Sequence, residues 1–405
     1  MKRIMKFYKT LKIPIQGNEE KLDELHNCWI KLLNAVVKYT VSLGSAKQLD
    51  IQNALYHPLR NYTKDRWNLH SSHLPVLFKT ASEIVRSCLE ACKSNCRTRF
   101  PKIHEKIPIV LCQNTCKIYK GDSLHARIAY EPNNPIDIKL LPSKEHEQLL
   151  EETIEKRNNL RIHGLKLLKR EDRWWLYVSL KKDIEIRKWE DCQTAIGVDM
   201  GLNHIVVCSA FDGKPHKPLY IHGDVWKQLV KERKEKFSKL QGVGKDLHEV
   251  SQYYSRRLDE ILHTIAKRTV EYAKNFEKPV IVMEDLDVTV KRQTENKKWN
   301  YLLSTWARRK LQNLIEYKAN WEGIPIFKVN PYNTSKICHK CGNIGKRENG
   351  MFRCSNCNKK YEADYNASVN ITKCFFVYKQ RRLSRAIVSA QLSGASNTQT
   401  TTNFN

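Results

Sequence analysis

The stretch that decides the fold of this chain is TAIGVDMGLNHIVVCSAF, residues 194–211. It contains two apolar runs joined by a short polar link, and Asp199 stands at the end of the first run. Apolar runs of this length, bounded by Gly and Asn, are typical of buried strands. The stretch therefore predicts two strands joined by a tight link, with a carboxylate where the first strand ends.

The segments that follow predict three more strands and three helical regions. Their order is strand PLYIHG, a basic helical region at 225–276, strand KPVIVMED, helix STWARRKLQNLIEYKANWEG, strand IPIFKVN and, after a cysteine-rich segment, helix DYNASVNITKC. The complete order, β-β-β-α-β-α-β-α, is the order of ribonuclease H. Because crossovers between parallel strands are right-handed, this order favours the ribonuclease H architecture.

Three carboxylates stand at the ends of these elements. Asp199 ends the first strand, Glu284 ends the fourth, and Asp364 opens the last helix. In the ribonuclease H arrangement the first and fourth strands are neighbours and the last helix packs across them, so the three side chains converge. Carboxylates held together raise one another's pKa unless cations intervene, and oxygen ligands suit Mg²⁺ or Mn²⁺. We therefore predict that these three acids are catalytic and hold two metal ions ~4 Å apart for phosphodiester hydrolysis.

Neighbouring acids leave alternatives open. Asp285 and Asp287 stand beside Glu284, and strand alternation alone does not say which of the three faces the site. Asp212, in FDGK, is typical of a hairpin turn. An acid at the end of a strand, taken alone, is more typical of a turn, and only the combination of three indicates a site.

Two cysteine pairs lie between the fifth strand and the last helix. Cys338 and Cys341 form the first pair, twelve residues follow, and Cys354 and Cys357 form the second. This spacing predicts a zinc ion held by four thiolates, and the ion provides most of the folding energy of so polar a segment. His339, inside the first pair, is a poor ligand candidate. The ribbon is predicted to be structural, with basic side chains available to phosphate at Lys340, Lys346, Arg347, Arg353, Lys359 and Lys360.

The other cysteines that form spaced groups are interpreted as structural. Cys88, Cys92 and Cys96 recur every four residues on the apolar face of a predicted helix. Small buried thiols are favoured over a metal site on such a face. Cys112 and Cys116 have no second pair nearby, and we interpret them in the same way.

The first 190 residues predict a strand, two helices and a strand-rich region. Helical periodicity begins at Asn18 and returns at about 76–98, and the connecting stretch YHPLRNYTKDRWNLH has the composition of a base-stacking surface or of an ordinary connection. Period-two segments over about 100–190 predict a small β-barrel or sandwich that the N-terminal strand can complete. The acidic run SKEHEQLLEETIEKRNN is interpreted as a solvated helix, and 386–405 is predicted to be disordered.

Composition indicates a partner that is a polyanion. A chain of 405 residues suggests about two to four structural units. Lys plus Arg is 71 against 43 for Asp plus Glu, a net charge of +28. Nucleic acid is favoured over a membrane, since no apolar stretch approaches the ~20 residues needed to span one. Because the N-terminus does not have the pattern of a secretion signal, we expect a cytoplasmic protein whose 13 cysteines stay reduced.

Five motifs carry a resemblance to a known family. GVDMG, VMEDL, NPYNTSKICHKCG, CSNC and ADYNASVNI resemble the TnpB (OrfB) family of transposon-encoded proteins and the related miniature type V CRISPR effectors, over residues 191–372. The resemblance implies a prokaryotic RNA-guided DNA nuclease with one RuvC-type site, whose guide RNA selects target DNA by base pairing while the protein reads a short flanking motif. It assigns the catalytic triad to Asp199, Glu284 and Asp364 and the zinc ligands to the four paired cysteines. Lys336 stands where the family often has Gln.

The resemblance also implies a multidomain chain of α/β and α+β class. It assigns a split wedge β-barrel to 1–17 and 100–190, a helical recognition lobe to 18–99, a RuvC-like nuclease domain to 191–333 and 362–376, and a target-nucleic-acid-binding zinc ribbon to 334–361. The stretch DVTVKRQTENKKWN matches a mobile lid in relatives, and the basic residues at 291–298 suit a gate on a polyanion.

Three function classes are compatible with these features. An RNA-guided, Mg²⁺-dependent DNA endonuclease is favoured. The complete set of acids argues against an RNA-guided DNA-binding repressor that does not cut. A resolvase or transposase acting without RNA leaves the basic helical lobe and the wedge without a role. The sequence does not separate a monomer from a homodimer that shares one guide, or a transposon-borne protein from a CRISPR-borne one.

Overall fold

The computed structural model describes residues 3–44, 46–94, 103–201, 204–242, 246–285 and 307–395. The chain divides into two compact units, Lys6–Asp183 on the one hand and Met1–Met5 with Ile184–Asn405 on the other. The predicted lid, at 287–300, lies outside the described residues. None of the helices in the described ranges is long and apolar enough to cross a membrane.

The N-terminal unit is built on a seven-stranded sheet. Its strands are β1 (Arg3–Gln16), β2 (Ile109–Leu111), β3 (Cys116–Lys120), β4 (Leu124–Glu131), β5 (Asn134–Leu140), β6 (Leu160–Arg170) and β7 (Arg173–Ile186). Their order across the sheet is β2-β6-β7-β1-β5-β4-β3, so the N-terminal strand completes the sheet. β1 is antiparallel to β5, with Ile15 opposite Leu140. Closure of this sheet into a barrel stays a prediction.

The helices of this unit include one that the sequence interpretation missed. They are α1 (Glu19–Ser42), α2 (Gln48–Trp67), α3 (His73–Ser94) and α4 (Lys144–Ile154). The stretch at 56–70, interpreted as a connection, is largely helical, because α2 continues through Pro58 to Trp67. A proline inside a helix costs about 3 kcal/mol. The packing of α2 against α3 overrides that local preference.

The spaced cysteines of this unit fit the interpretation of structural thiols. Cys88 and Cys116 are buried, Cys92 and Cys112 are partly exposed, and Cys96 lies outside the described residues. Burial raises the pKa of Cys116 to about 12, and Cys112 nearby adds to the rise. The metal-ligand groups found in the described part of the chain do not include any of these thiols.

The C-terminal unit has a five-stranded sheet with the topology of ribonuclease H. Its strands are β8 (Thr194–Asp199), β9 (His204–Phe211), β10 (Leu219–His222), β11 (Pro279–Glu284) and β12 (Ile326–Val329), in the order β10-β9-β8-β11-β12. β9 is antiparallel to β8, whereas β8, β11 and β12 are parallel. The predicted neighbours, the first and fourth strands of this unit, are confirmed as the pair β8 and β11.

Helices cover both faces of this sheet. They are α5 (Asp224–Gly242), α6 (His248–Lys274), α7 (Arg308–Trp321) and α8 (Ala363–Ala395). Ile196 packs in one core with α6 and α7. Ala195 of β8 and Val282 of β11 pack in a second core with α8. Because side chains alternate between the faces of a strand, Asp199 and Glu284 both belong to the face that α8 covers.

The last helix is longer than the sequence interpretation expects. α8 continues to Ala395, through the first ten residues of the stretch 386–405 that is predicted to be disordered. These ten residues include the strong helix formers Ala386, Ala390, Gln391, Leu392 and Ala395, which favour the extension. Residues 396–405 lie outside the described part of the chain.

Gly197 is a point of close approach between the sheet and α8. A Cβ atom at this position would lie 2.1 Å from the backbone oxygen of Ser368 and 2.2 Å from Oγ1 of Thr372. The same Thr372 hydroxyl lies 3.1 Å from Oγ of Ser209, on the neighbouring strand β9. Small residues on β8 and β9 therefore let the backbone of α8 lie directly on the sheet, close to Asp199.

Gly197→Ala is expected to destabilise the C-terminal unit, because the added methyl group meets a helix backbone that has no room to rotate away. Overpacking of this kind costs about 1–3 kcal/mol. Differential scanning calorimetry of the wild type and the variant measures the loss of Tm. Gly164→Ala is the matched control, since this glycine also lies in a strand and a Cβ there meets nothing within 4 Å. Equal losses of Tm in the two variants would contradict the close approach.

Candidate active site and four-cysteine ribbon

The three acids predicted from the sequence lie at one edge of the sheet. Asp199 ends β8 and Glu284 ends β11, and because these strands are parallel neighbours, the two residues lie at the same edge. Asp364 is the second residue of α8, which packs on the face that both acids share. Strand alternation and the start of one helix thus direct three distant acids to one region.

Strand geometry also decides between Glu284 and its acidic neighbours. Glu284 shares a face with Val282, which packs under α8. Asp285 is the next residue, so alternation favours the opposite face for its side chain. Its backbone N–H continues the pairing with β12 by donating to the oxygen of Val329 at 2.8 Å. Asp287 lies outside the described residues.

The three carboxylates act on one another electrostatically. The pKa of Asp199 is raised from its ordinary value to about 8. Desolvation is the largest cause, the negative charges of Asp364 and Glu284 add to it, and Arg347 and Arg308 oppose it. Among the described residues, the groups whose ligand atoms all lie within 4.8 Å of one another do not contain these three acids together. The carboxylate oxygens of the three acids are therefore spread more widely than the ligands of a single enclosed ion.

Asp364 is held on both of its oxygens. Arg347 Nη2 donates to Oδ1 at 2.6 Å, and Nδ1 of His204 lies 3.1 Å from Oδ2. The Asp364 side chain is 4% exposed, whereas that of Arg347 is 44% exposed. His204 Nδ1 also lies 3.5 Å from Oε1 of Glu362. A guanidinium and an imidazole thus fix the orientation of this carboxylate.

Arg347 makes a contact that the sequence interpretation did not anticipate. It belongs to the basic side chains of the ribbon that are predicted to be available to phosphate, and its guanidinium pairs with Asp364. The two residues are 17 positions apart, and the sequence between them carries no pattern that indicates the contact. His204 was missed as well, although a signal existed: it begins β9, which is antiparallel to β8, so it lies at the edge where Asp199 ends its strand.

The four predicted zinc ligands come together in the ribbon. Its three short antiparallel strands are β13 (Lys346–Glu348), β14 (Met351–Arg353) and β15 (Lys360–Glu362). The sulfur atoms of Cys338, Cys341, Cys354 and Cys357 all lie within 4.8 Å of one another. Gly342, directly after the first pair, has a φ of 78°, which residues with a side chain rarely adopt. The cluster fits a tetrahedral zinc ribbon.

One thiolate of the cluster is favoured by a backbone N–H, and the histidine lies outside the cluster. The backbone N–H of Asn343 lowers the pKa of Cys341 to about 6. The ring nitrogen Nδ1 of His339 lies 3.0 Å from Oδ1 of Asn366. Because this ring is engaged with α8 and lies outside the cluster of ligand atoms, the structure fits the expectation that His339 is not a ligand.

The last strand of the ribbon runs directly into α8. β15 ends at Glu362 and α8 begins at Ala363. The two carboxylate oxygens of Glu362 accept hydrogen bonds from the N–H of Asp364 at 3.1 Å and the N–H of Tyr365 at 2.6 Å. N–H groups in the first turn of a helix have no partner within the helix. Glu362 therefore caps the helix on which Asp364 lies.

A basic and aromatic groove lies between the ribbon, β12 and α8. It encloses a cavity of about 960 Å³ whose cations are Lys328, Lys340, Lys373 and Arg381. The described residues that line the groove include no Asp or Glu. Tyr332, also in the lining, is 80% exposed. Cations with exposed aromatic rings suit a single strand of nucleic acid, because phosphates pair with the cations and bases stack on the rings.

The chain is similar to known proteins of two related groups. A family model described as Cas12f1-like, TNB domain, matches residues 309–371. TnpB-like protein MJ0751 of Methanocaldococcus jannaschii is 29% identical over 269 residues, which cover 63% of this chain and 91% of that protein. CRISPR-associated endodeoxyribonuclease Cas12f2 of a Micrarchaeota archaeon is 30% identical over 242 residues, 55% of this chain and 44% of that protein.

A solved structure shows the same fold. The matching chain in the cryo-EM structure of the Cas12f1-sgRNA-target DNA complex has a TM-score of 0.54 and 18% identity, and the match covers 88% of this chain and 83% of that chain. The fold and the site define a ribonuclease H-like unit with an inserted four-cysteine ribbon. Within that class, the chain is similar to TnpB-like proteins and to the miniature type V effectors, which confirms the resemblance found in the sequence.

Proposed function

We propose that the chain is an RNA-guided DNA endonuclease that cleaves target DNA at a single site formed by Asp199, Glu284 and Asp364. The observation that carries the proposal is that Asp199 and Glu284 end neighbouring parallel strands, while Asp364 lies on the helix that packs on the face they share. The names of relatives support the same chemistry, since Cas12f2 is called a CRISPR-associated endodeoxyribonuclease and another relative a putative RNA-guided DNA endonuclease.

The acidic cluster fits hard divalent cations. Burial first, and the negative charges of Asp364 and Glu284 next, raise the pKa of Asp199, and a divalent ion beside the carboxylate would favour its ionised form. Asp199, Glu284 and Asp364 would hold two Mg²⁺ ions, with Mn²⁺ as a substitute. When bound, the ions activate water and stabilise the leaving 3′ oxygen.

The remaining residues of the site orient groups and bind phosphate. His204 and Arg347 fix the carboxylate of Asp364. The Arg347 guanidinium is partly exposed beside that carboxylate, so it is placed to contact a phosphate that enters the site. The ribbon thereby contributes a cation to the active site as well as a surface to the groove.

Mg²⁺ is expected to raise the Tm of the chain more at pH 8.5 than at pH 6.5. The folded-state pKa of Asp199 is about 8, above its ordinary value, so the metal-free folded chain holds a proton there at pH 6.5. An arriving ion must displace that proton, which weakens binding at low pH. Between the ordinary pKa of an aspartate and about 8, rising pH destabilises the metal-free chain, because the unfolded chain has released this proton while the folded chain still holds it. The loss is complete above pH 8, and the ion reverses it. Thermal-shift titrations at the two pH values provide the measurement, and equal shifts would contradict the assignment of Asp199.

The proposed nucleic-acid partners and the proposed roles of the domains are supported by the net charge of the chain and by its similarity to the relatives. A net charge of +28 and the groove beside the ribbon fit a guide RNA and a target DNA strand. In this proposal 1–17 with 100–190 is a wedge barrel, 18–99 a recognition lobe, 191–333 with 362–376 the nuclease domain and 334–361 a zinc ribbon that binds target nucleic acid. The protein acts as a monomer or as a homodimer that shares one guide.

Copurified nucleic acid tests the proposal. The chain is expressed together with its native flanking DNA, and bound RNA is sequenced. Discrete RNA, together with Mg²⁺-dependent cleavage of DNA that matches the guide end of that RNA, would support the proposal. Guided binding without cleavage would indicate a repressor. Metal-dependent cutting without bound RNA would indicate a resolvase or transposase.

A further inference from the structure

Glu284 accepts a hydrogen bond from a buried threonine in the loop that leads into the ribbon. Oγ1 of Thr334 lies 2.5 Å from Oε1 of Glu284 and 3.1 Å from the backbone oxygen of Pro331. The hydroxyl has one proton, and the shorter contact, to the charged acceptor, is the stronger one. Thr334 is only 4% exposed, so water does not compete freely for this bond.

Two buried amides hold the loop of Thr334 on α8. Nδ2 of Asn370 donates to the backbone oxygen of Thr334 at 2.8 Å and to that of Ile337 at 2.7 Å. Nδ2 of Asn366 donates to Ile337 at 2.8 Å, and its Oδ1 accepts from the N–H of His339 at 2.9 Å. Asn366 and Asn370 lie on the same helix as Asp364. The position of the threonine hydroxyl is therefore set by the helix that carries another acid of the site.

The backbone of Glu284 is held by a separate donor. Nε2 of Gln312, a buried residue of α7, donates to the backbone oxygen of Glu284 at 2.7 Å. Main chain and side chain of Glu284 are thus fixed from two different elements. Within the described part of the chain, the hydrogen bonds to this carboxylate end on Oε1, which leaves Oε2 for a metal ion.

The two acids that flank Asp199 are oriented in electrostatically different ways. Asp364 pairs with a guanidinium, which cancels part of its charge. Glu284 receives a neutral hydroxyl, which orients the carboxylate without placing a positive charge beside it. A neutral donor therefore fixes the orientation of the ligand without adding a positive charge that would weaken the binding of a divalent cation.

We propose that Thr334 is a positioning residue for divalent-metal binding: its hydroxyl holds the carboxylate of Glu284 in the orientation that the acidic site requires. The inference rests on the proposed function, since it assumes that Glu284 is a metal ligand. Loss of a partner that orients a metal ligand costs about 10–100-fold in metal affinity or activity. Thr334→Val removes the hydroxyl and nearly preserves the shape, whereas Thr334→Ser retains the hydroxyl.

The test is a Mn²⁺ titration of the full-length, RNA-free chain, followed by electron paramagnetic resonance of the free ion. Thr334→Val is expected to weaken Mn²⁺ binding about 10–100-fold, and Thr334→Ser to restore most of it. In parallel, the Mg²⁺ concentration for half-maximal cleavage should rise by a similar factor in Thr334→Val, while guided DNA binding stays unchanged. Thr269→Val is the matched control, because Thr269 is fully buried and its hydroxyl donates to the oxygen of Ile265 in its own helix at 2.9 Å, whereas the hydroxyl of Thr334 donates to an acid of the site.

Each outcome separates the inference from the function on which it rests. Wild-type Mn²⁺ affinity in Thr334→Val, with Glu284→Ala clearly weakened, would overturn the role of Thr334 and leave the site intact. Equal Mn²⁺ binding by the wild type, Glu284→Ala and Asp199→Ala would overturn the acidic site itself. If Thr334→Val loses zinc or its folding transition, Thr334→Ala and Thr334→Ser give the same comparison, since they differ only in the hydroxyl. Equal affinity in that pair would overturn the inference.

Discussion

Asp199→Ala should lose Mg²⁺-dependent DNA cleavage by ~10³-fold or more, because several kcal/mol of metal-derived transition-state stabilisation corresponds to that factor. Guide-dependent DNA binding should stay nearly intact. The acid lies at the edge of the sheet, whereas the cations that fit phosphate lie in the groove beside the ribbon. Single-turnover cleavage of a matched DNA and an electrophoretic mobility shift of the same DNA measure the two properties separately.

The control for this variant removes a carboxylate of the same strand pair. Asp212 follows β9 at the end away from the acidic cluster, and its carboxylate pairs with His216 at 2.9 Å. Asp212→Ala should therefore cleave at the wild-type rate. Substantial Mg²⁺-dependent cleavage by Asp199→Ala, or an equal loss in the two variants, would contradict the assignment of the site.

Cys354→Ser should lose the zinc ion and, with it, the fold of the ribbon. Zinc contributes roughly 10–16 kcal/mol to the folding of small four-ligand domains. The ribbon has only a small apolar core, in which Phe352 packs with Ala363 and the cysteines. Cleavage should fall with the metal content, since Arg347 and Glu362 both belong to ribbon strands that the cluster holds. Soluble yield should fall as well.

Zinc content by mass spectrometry, limited proteolysis and the cleavage rate together test the expected loss of zinc and of the ribbon fold in Cys354→Ser. Cys92→Ser is the matched control, because Cys92 is a partly exposed thiol that lies in the other unit of the chain. It should keep its zinc and its activity. Full activity of Cys354→Ser without bound zinc would show that the ribbon does not depend on the metal.

The order of elements is the part of the sequence that predicts the C-terminal unit best. Apolar runs and their spacing give five strands in the correct succession, and the right-handed crossover rule leaves few ways to join them. Alternation then places Asp199 and Glu284 on the face of the last helix. The positions of acids at the ends of strands and helices can therefore be predicted from the sequence, because they depend on local periodicity.

Contacts between residues that are far apart in the sequence cannot be predicted from local periodicity. Arg347 reaches Asp364 because the ribbon folds back on the first turn of α8, and that path depends on the geometry of the cysteine cluster. Thr334 reaches Glu284 because two amides fix a loop that has no period of its own. Neither residue type is rare enough in a basic, polar chain to attract notice.

Helix α2 is a case in which the local sequence signals predict the wrong structure. Its local signals, Pro58 and a mixture of aromatic and basic residues, favour a connection, and its apolar stripe is weak, with Ile51 and Thr63 as its buried side chains. Contact with α3 decides the outcome. Local propensity is a weak guide where a helix lies at the margin of a core.

The junction between β15 and α8 has no intervening residue, and this restricts how the chain can be shortened. Glu362 closes the strand and caps the helix in the same position. Replacing the ribbon with a flexible linker would therefore uncap the helix and withdraw the guanidinium from Asp364 in one step. A shortened derivative of this chain would need its deletions elsewhere, because the ribbon and the helix that carries Asp364 form one continuous structural element.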